Sequence, residues 1–563
     1  MMPDLPPALV LWLGAALVPL VPRRLRPAVF PLFPLAALAL VWSLPEGVLW
    51  SADYLGYRLV PLEVDRMSRV FGTIFALIGV LGGVYALHVR DTGQQVAALL
   101  YGGGALAVTF AGDYLSLFLG WEVMAVASAG LVWAARTPEA SAAGRRYVLV
   151  HLFGGSLLLA GIALQVASTG SLALAPFAPG ESAAAWLVLA GVALNAALPP
   201  LHAWLPDAYP RATVTGAVFL SAYTTKTSVY VLASLFAGWD VLIPLGVAMA
   251  LYGVVYAVLA NDIREILAYH IISQVGYMVA AVGIGTELAL NGAAAHAFSH
   301  ILYKALLFMG AGVVIHTTGR SQLTRLGGFA GRQRLAVALY MIGAFSISGF
   351  PLFNGFVSKA VIVSAAGKSG HTAAMVLLLL ASVGTFLHTG LKLPYFTWFG
   401  RDRGIVPAPA PRNMLAAMAA VAALCILYGV APGLLYGMLP FPMAYRPYTV
   451  PHLAETAQIL VFTFVAFWLL RDKLAGEDTI ALDTDWFYRR PGSWVGRVLL
   501  SAADRAFSAA DEGVSRCARA LARAVCSLSS EPPRRVSVGG SLALALALMV
   551  AAAVLAVGGA VTP

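Results

Sequence analysis

The chain has 563 residues, 60% of them hydrophobic and only 11% charged, with a mean hydropathy of +0.82. A soluble domain carries about 25% charged residues, whereas here apolar runs of about 18 or more residues recur from end to end, so the solvent is lipid. The net charge of +10 suits nucleic acid by sign alone, but the cations lie between apolar segments, where they orient a chain in a membrane.

The first apolar run, residues 8–21, has the length of a signal-peptide core. Asp4 precedes it and Arg23, Arg24 and Arg26 follow it, the reverse of a secretory signal. It reads as a first span with its N-terminus outside. Further spans are expected near 27–44, 67–88, 94–111, 114–134, 145–167, 184–206, 212–236, 240–259, 263–285, 289–316, 335–366, 374–398, 413–437, 455–471 and 539–559, making 16 transmembrane helices. In this arrangement the inside loops before residue 474 hold 18 Lys and Arg and the outside loops 5. That asymmetry supports the orientation and a multi-pass protein of the bacterial cell inner membrane.

Two spans are interrupted. Pro199, Pro200 and Pro206 break 184–206, and Gly349-Phe350-Pro351 with Asn354-Gly355 breaks 335–366. Proline removes a backbone donor and frees carbonyls that lipid cannot satisfy, so such breaks face protein or water. Either alone also reads as a packing kink; as a matched pair they point to repeats with a site at the midplane.

After the fifteenth span the segment 483–535 has little spanning character. From Ser493 to Ser529, Val495, Leu499, Ala502, Phe507, Ala510, Val514, Cys517, Leu521 and Val525 recur at helical spacing, with Arg497, Asp504, Asp511, Arg516, Arg519 and Arg523 on other faces. This predicts an amphipathic helix of about 55 Å along the cytoplasmic surface, a pattern that an ordinary interfacial anchor shares.

No cofactor motif is visible. Cys425, Cys517 and Cys526 form no CxxC or Cys/His cluster for iron–sulfur, haem or zinc, and no glycine-rich nucleotide fingerprint follows a strand. Redox chemistry, if any, belongs to another chain.

The chemistry-bearing residues lie inside the spans. Four cations are intramembrane, all lysine: Lys226, Lys304, Lys359 and Lys392; Glu122 is the acid deep inside a span. A charge at mid-bilayer costs about 2.5–3.5 kcal/mol, which makes function the first hypothesis. A buried lysine can give up its proton near neutral pH, where arginine cannot. Lys392 equally reads as a cation snorkelling to the edge of its span. His296, His300 and Lys304 run at i, i+4 and i+8 on one helix face. Two histidines four apart can bind zinc, but no carboxylate or cysteine accompanies them and Lys304 repels a cation, so a proton relay fits better. His151 and His388 are candidates to extend the relay, though either alone reads better as a hydrogen-bonded packing residue; His202, beside the first break, is better placed for function.

Several segments resemble one family. PPLHAWLPDAYPRATVTGAVFLSAYTTKTSVYVL (199–232), NDIREILAYHIISQVGYM (261–278), HAFSHILYKALLFMGAG (296–312), SGFPLFNGFVSK (348–359) and LFLGWEVMAVAS (117–128) resemble the antiporter-like subunits shared by respiratory complex I and Mrp-type cation/proton antiporters, closest to the D type of the Mrp antiporters. The likeness runs over roughly 60–480, and the tail, with DTDWFYRR before its amphipathic stretch, resembles the lateral-helix arrangement of the largest complex I antiporter-like subunit.

The resemblance implies an all-α polytopic membrane protein with two inverted five-helix repeats containing broken helices, plus a C-terminal lateral-type helix. The implied organisation is three N-terminal helices (1–93), a first repeat (94–238), a second repeat (239–400), two further helices (401–480), the amphipathic segment (481–537) and a last span (538–563). It also implies a proton pathway: Glu122 within GWE, Lys226 within TTK, His296, His300 and Lys304 within HxxxHxxxK, and Lys359 at the second break, with His202 and Lys392 as possible additions. Relatives carry a lysine where GVALNAALPP has Asn195, and asparagine can hold water but carries no proton.

Three functions follow as expectations. The first is a proton-translocating subunit of a multisubunit Mrp-type monovalent cation (Na+)/H+ antiporter. The second is a proton-pumping subunit of a redox complex, either an NADH:quinone oxidoreductase or a membrane-bound hydrogenase. The third, favoured by Asn195, is a membrane scaffold that no longer transports. All three imply other membrane subunits as partners; H+ belongs to the first two and Na+ to the first.

Overall fold

The computed structural model describes residues 5–180, 182–477, 482–528, 545–546 and 548–549. The expected last span at 539–559 and the side chains of Val525 and Cys526 therefore lie outside the described residues. The described chain forms one compact unit up to Asp485, and a second from Trp486.

The first unit opens with α1 (Pro7–Leu17), α2 (Arg26–Val29) and α3 (Leu32–Ser43). An antiparallel hairpin follows, β1 (Gly47–Tyr54) and β2 (Tyr57–Val64). Its two-residue turn, Leu55-Gly56, holds both residues at positive φ, 49° and 80°, the combination that matches strand twist in tight hairpins. Backbone N of Val60 donates to Asp113 at 2.7 Å and Gly112 N donates to Val60 O at 2.8 Å, which ties the hairpin to the start of a later helix.

Next come α4 (Arg66–Tyr85), α5 (Thr92–Phe110), α6 (Tyr114–Trp133), α7 (Pro138–Thr169) and α8 (Ala183–Asn195). Asp65, Asp91, Asp113, Thr137 and Ser182 each accept a backbone N–H across their first turns. Such caps contribute about 1 kcal/mol each and mark where helices begin. Short helices α9 (Trp204–Ala208) and α10 (Gly216–Leu220) lead to α11 (Thr224–Leu235).

The long central helices are α12 (Leu242–Leu259), α13 (Ile263–Ile284) and α14 (Glu287–Thr318). They are followed by α15 (Arg334–Ser348), α16 (Asn354–Lys368) and α17 (Thr372–Thr385), which widens into π-helical turns at Phe386–Lys392 and Tyr395–Phe399. The unit closes with α18 (Arg412–Val430), α19 (Pro432–Tyr436) and α20 (Val450–Leu470). Gly246 of α12 and Gly276 of α13 lie against each other's backbones with no room for a Cβ, the small-residue contact that lets helices approach closely in lipid.

Ten described helices are long and apolar enough to cross a membrane. The apolar windows of α13 and α14 are 100% and 94% buried inside the protein, against 17% for α20, so α13 and α14 form the centre. The second unit holds α22 (Pro491–Leu528), which follows the short α21 (Asp485–Arg489) and is the expected amphipathic helix, 38 residues long.

Both expected breaks are present. Between α8 and α9 the chain leaves helical geometry over 196–203, with a cis Pro199–Pro200 bond and Ala197 at φ 62°. Between α15 and α16 it turns through Gly349 and Leu352, both at φ 74°. Protein groups satisfy the freed backbone: Trp204 Nε1 donates to Leu194 O at 3.0 Å, and Leu352 N donates to the Tyr448 hydroxyl at 3.2 Å. Two features differ from expectation. The segment 212–236 is itself interrupted at 221–223, and residues 47–64, expected as a loop, form the hairpin. The interruption gives Lys226 an acceptor that a continuous helix lacks.

Candidate functional site: a buried polar axis

Three of the four intramembrane lysines rest on main-chain carbonyls at helix ends. Lys226 Nζ donates to Ser221 O, just past α10, at 2.5 Å and to Thr225 Oγ1 at 3.1 Å. Lys359 Nζ donates to Ile347 O, in the last turn of α15, at 2.9 Å and to Ser382 Oγ at 3.2 Å. Lys392 Nζ donates to Val258 O, in the last turn of α12, at 2.5 Å. The last carbonyls of a helix have no partner within it and carry the negative end of its dipole, so each break or end is a ready cation acceptor. Lys392 is buried on this carbonyl, so its head group does not snorkel to water.

Lys304 differs. It is fully buried in α14, and among the described residues no hydrogen bond reaches its Nζ. His300, one turn before it, is equally buried with both ring nitrogens unpartnered. His300 lies within electrostatic reach of Lys226, Lys304, His296 and Lys359, so this stretch of α14 stands between the lysine of α11 and the lysine of α16. His296 continues the row. Its Nδ1 meets Ser358 Oγ at 3.1 Å, and its Nε2 meets Gln274 Oε1 at 3.3 Å and the Tyr303 hydroxyl at 3.4 Å. Ser358 neighbours Lys359 in sequence, and the Lys359 ammonium stands 5.2 Å from the centre of the Tyr277 ring.

A second group of unpartnered histidines extends the axis. His270 of α13 and His388 of the π-helical turn have ring centres 5.7 Å apart, and all four ring nitrogens lack partners among the described residues. Wide π turns concentrate at functional sites. His270, Gln274, Tyr303 and Ser358 stand beside the expected residues, and the local signal for the first two is their i, i+4 spacing in AYHIISQ. His388, read as a packing residue, lacks the hydrogen bond that such a role needs.

The first half of the chain is arranged differently. Glu122, on α6, is half-buried with Oε1 unpartnered, and its carboxylate fills the space where a Cβ on Gly155 would stand. Asn195 closes α8, fully buried, with neither side-chain polar atom bonded. Among the described residues no salt bridge involves Glu122 or an intramembrane lysine. His202, inside the first break, lies 3.1 Å from the carboxylate of Asp483, which also accepts from Tyr252 at 2.5 Å and Tyr269 at 2.6 Å. Asp207 of the WLPDA segment is held by Arg146 at 2.7 Å and by Arg211 at 2.8 Å, a structural ion pair apart from the lysines.

A cavity of about 300 Å³ opens beside Lys359 between α16, α17 and α20, lined in part by Ser348, Ser364, Ser382, His452, Glu455 and Thr456. Buried polar atoms without protein partners are normally met by water. The arrangement is therefore a row of titratable groups joined by hydroxyls, amides and space for water.

Residues 111–387 match the model of the family described as NADH:quinone oxidoreductase/Mrp antiporter, TM. The D-type Na(+)/H(+) antiporter subunit of Alkalihalophilus pseudofirmus is 31% identical over 382 residues, covering 62% of this chain and 76% of that protein. An uncharacterized protein of Methanocaldococcus jannaschii is 32% identical over 355 residues, covering 59% and 73%. The chain spans about half (52%) of the A-type antiporter subunit from the same Alkalihalophilus species, at 28% identity over 66% of its own length. In fold it is similar to a chain of the Mrp complex from Dietzia sp. DQ12-45-1b, with a TM-score of 0.71 and 23% identity over 82% of this chain and 98% of that one. A chain of the archaeal membrane-bound sulfane sulfur reductase gives the same TM-score and identity over 98% and 100%.

Proposed function

The chain belongs to the NADH:quinone oxidoreductase/Mrp antiporter membrane family, and from that premise we propose that it is a proton-translocating membrane subunit of a multisubunit Mrp-type monovalent cation (Na+)/H+ antiporter. The observation that carries this reading is the buried row Lys226, His300, His296, Lys304 and Lys359, which links two interrupted helices through groups able to take up and release protons. Protons hop along Glu122, Lys226, His296, His300, Lys304 and Lys359 through intervening water, with His202 and Lys392 at the margins. Each transfer changes the field at its neighbour, an effect that is strong where the dielectric is low.

On this reading the segments 94–238 and 239–400 are two inverted half-channels, the first with two interruptions and the second with the break between α15 and α16. The chain crosses the bacterial inner membrane 16 times with its N-terminus outside, and other membrane subunits complete the transporter.

A second reading has a specific observation behind it. The sulfane sulfur reductase chain matches over 98% of this chain, against 82% for the Mrp chain, which favours a proton-pumping subunit of a redox complex. Purification of the intact complex separates the two, since flavin or iron–sulfur proteins co-purify under the second reading and small Mrp-type subunits under the first. Proton movement itself is tested by ΔpH-driven dye quenching in vesicles. Lys226→Ala abolishes the quenching at unchanged complex yield; wild-type quenching in that variant removes Lys226 from the path and supports a scaffold role.

A further inference from the structure

Glu122 and Lys226 stand on α6 and α11, and the helix between them at the first break, α8, offers only Asn195, which does not titrate at physiological pH. The neighbouring α7 carries a base in the right place. His151 is 1% exposed, and its Nδ1 lies 2.8 Å from the carbonyl of Tyr147 one turn earlier. A carbonyl only accepts, so Nδ1 carries the hydrogen, and Nε2 is left with a free lone pair. No protein group bonds that Nε2 among the described residues.

Its surroundings point both ways along a path. Gly155, four residues on and therefore on the same face of α7, is the residue against which the Glu122 carboxylate packs, with Oε1 also unpartnered. Positions four apart on a helix have Cβ atoms about 5–6 Å apart, and because the His151 ring leans onto Tyr147, the link to Glu122 runs through more than one water. On the other side the imidazole stacks on Tyr147 with ring centres 3.9 Å apart. The Tyr147 hydroxyl meets Ser128 Oγ at 2.9 Å, and the Thr224 hydroxyl, two residues before Lys226, pairs with Tyr101 at 2.7 Å. Trp204, 4.6 Å away edge-on, closes the remaining side.

We propose that His151 is a proton-carrying residue of the first half-channel, accepting at Nε2 the proton that Glu122 releases and passing it towards Lys226. The assignment rests on the proton-path reading and adds a residue to it. The step is proton transfer alone. The Glu122 carboxyl becomes a carboxylate as the ring becomes an imidazolium. The ring then returns its Nε2 proton through water to the Lys226 amine, which becomes an ammonium. The other titratable groups around the ring are Tyr147 itself and Tyr209, which packs on Trp204; Arg146 is held by Asp207.

The test uses the intact complex in vesicles with ΔpH-driven dye quenching. His151→Gln keeps the size and polarity of the side chain but not the base, and lowers the initial rate by about a hundredfold, the lower end of what a positioned acid–base group contributes. Asn195→Lys in the same chain, supplying a base one helix away, recovers transport, a result that a packing role does not produce. His151→Lys transports with its pH optimum displaced to higher pH, because the ordinary lysine pKa of about 10.4 exceeds the histidine value of about 6.5. Wild-type rate and profile in His151→Gln at normal yield overturn the proposal. So does an unchanged profile in His151→Lys, which decides the matter if the glutamine variant fails to assemble. Lys226→Ala run beside them separates the two levels. If it abolishes transport while His151→Gln does not, only the role of His151 falls; if it too leaves transport intact, the path itself falls.

Discussion

The carboxylate of Asp483 lies 3.1 Å from Nε2 of His202, so a residue thirteen positions beyond the end of α20 seats itself at the break between α8 and α9. Tyr252 and Tyr269, from α12 and α13, hold both oxygens of the same carboxylate, and Tyr256 donates to the neighbouring Leu482 carbonyl at 3.0 Å. One short stretch of chain thereby ties the first interrupted helix to two helices of the following segment.

The attachment has a defined pH range. Burial pushes the Asp483 carboxyl up, but the His202 ring beside it and hydrogen bonds from Tyr252 and Tyr269 outweigh burial and hold the group well below the usual carboxylate range. A group depressed in the folded state stabilises above its unfolded pKa and loses that contribution as pH falls. Docking of residues 482–485 is therefore constant from about pH 8 to about pH 5 and weakens below about pH 4, where an unfolded aspartate titrates. Asp483→Asn weakens it at every pH by about 1–3 kcal/mol, because buried donors lose a charged acceptor. Hydrogen exchange of the peptide containing 482–485 measures both; equal protection in variant and wild type refutes the role of the carboxylate.

Gly355 tests the second break. A helix position normally gains about 0.5–1 kcal/mol when glycine becomes alanine, but a Cβ here would overlap the carbonyl of Ser346. That oxygen is main chain and cannot swing away, and overpacking costs about 1–3 kcal/mol, so the overlap wins. Gly355→Ala lowers the melting temperature of the purified protein. Gly331→Ala, at an exposed site with nothing within 4 Å of its Cβ, leaves it unchanged or slightly higher. A rise for both would show that the α15–α16 junction is loose.

Local signals in the sequence carry some of these features and miss others. Pro199-Pro200 and Gly349-Phe350-Pro351 announced their breaks because proline and left-handed glycine act locally, and the lysines announced themselves because charge in lipid is costly. The interruption at 221–223 carries neither residue type; its backbone is held by Lys226 reaching back to Ser221, a contact that exists only once the helices pack. The hairpin at 47–64 has a Leu-Gly turn and weak alternation, and its anchor is Asp113, some fifty residues away. His151 is legible only as a candidate to extend the relay, because one histidine gives no periodicity; what marks it is a buried ring nitrogen without a partner, which no spacing in the sequence reveals. Asp483 belongs to a tail whose visible pattern is its amphipathic helix, and its partners lie in three separate elements.

Orientation is open to chemical labelling. With Cys425, Cys517 and Cys526 replaced by serine, Gly331→Cys lies in the loop of Arg320, Arg325, Arg332 and Arg334, and Ser369→Cys at the opposite end of the α15–α16 pair. Gly331 is preferred to Gly327, where a side chain would run into the Arg401 carbonyl. In intact spheroplasts an impermeant thiol reagent modifies Ser369→Cys and spares Gly331→Cys. The reverse pattern inverts the sidedness of the whole path.

The cavity beside Lys359 makes the last prediction. Its volume of about 300 Å³ is bounded by three serines, Thr456, His452 and Glu455 as well as Lys359, and at about 30 Å³ per molecule it has room for on the order of ten waters. Lys359, Ser348, Ser382 and His452 already have protein partners, but a lipid chain in the same space would set Ser364, Thr456 and Glu455 against hydrocarbon, at a cost of several kcal/mol each. Water therefore fills it, and a thiol placed inside ionises as it does in solution, whereas one facing lipid stays protonated and inert. In the serine-substituted background, Ser364→Cys and Thr456→Cys react at least about tenfold faster with a charged, water-soluble thiosulfonate than Phe462→Cys does, since desolvation suppresses the thiolate by a larger factor than that. Phe462 is the apt comparison because it sits on α20, only six residues beyond Thr456, yet is 71% exposed on that helix's outer side. Reaction from the face that labels Ser369→Cys fixes the side on which the cavity opens. Equal, slow rates at all three positions would mean that the space is closed to water, and Lys359 would then exchange protons only with His296 and the interior of the axis.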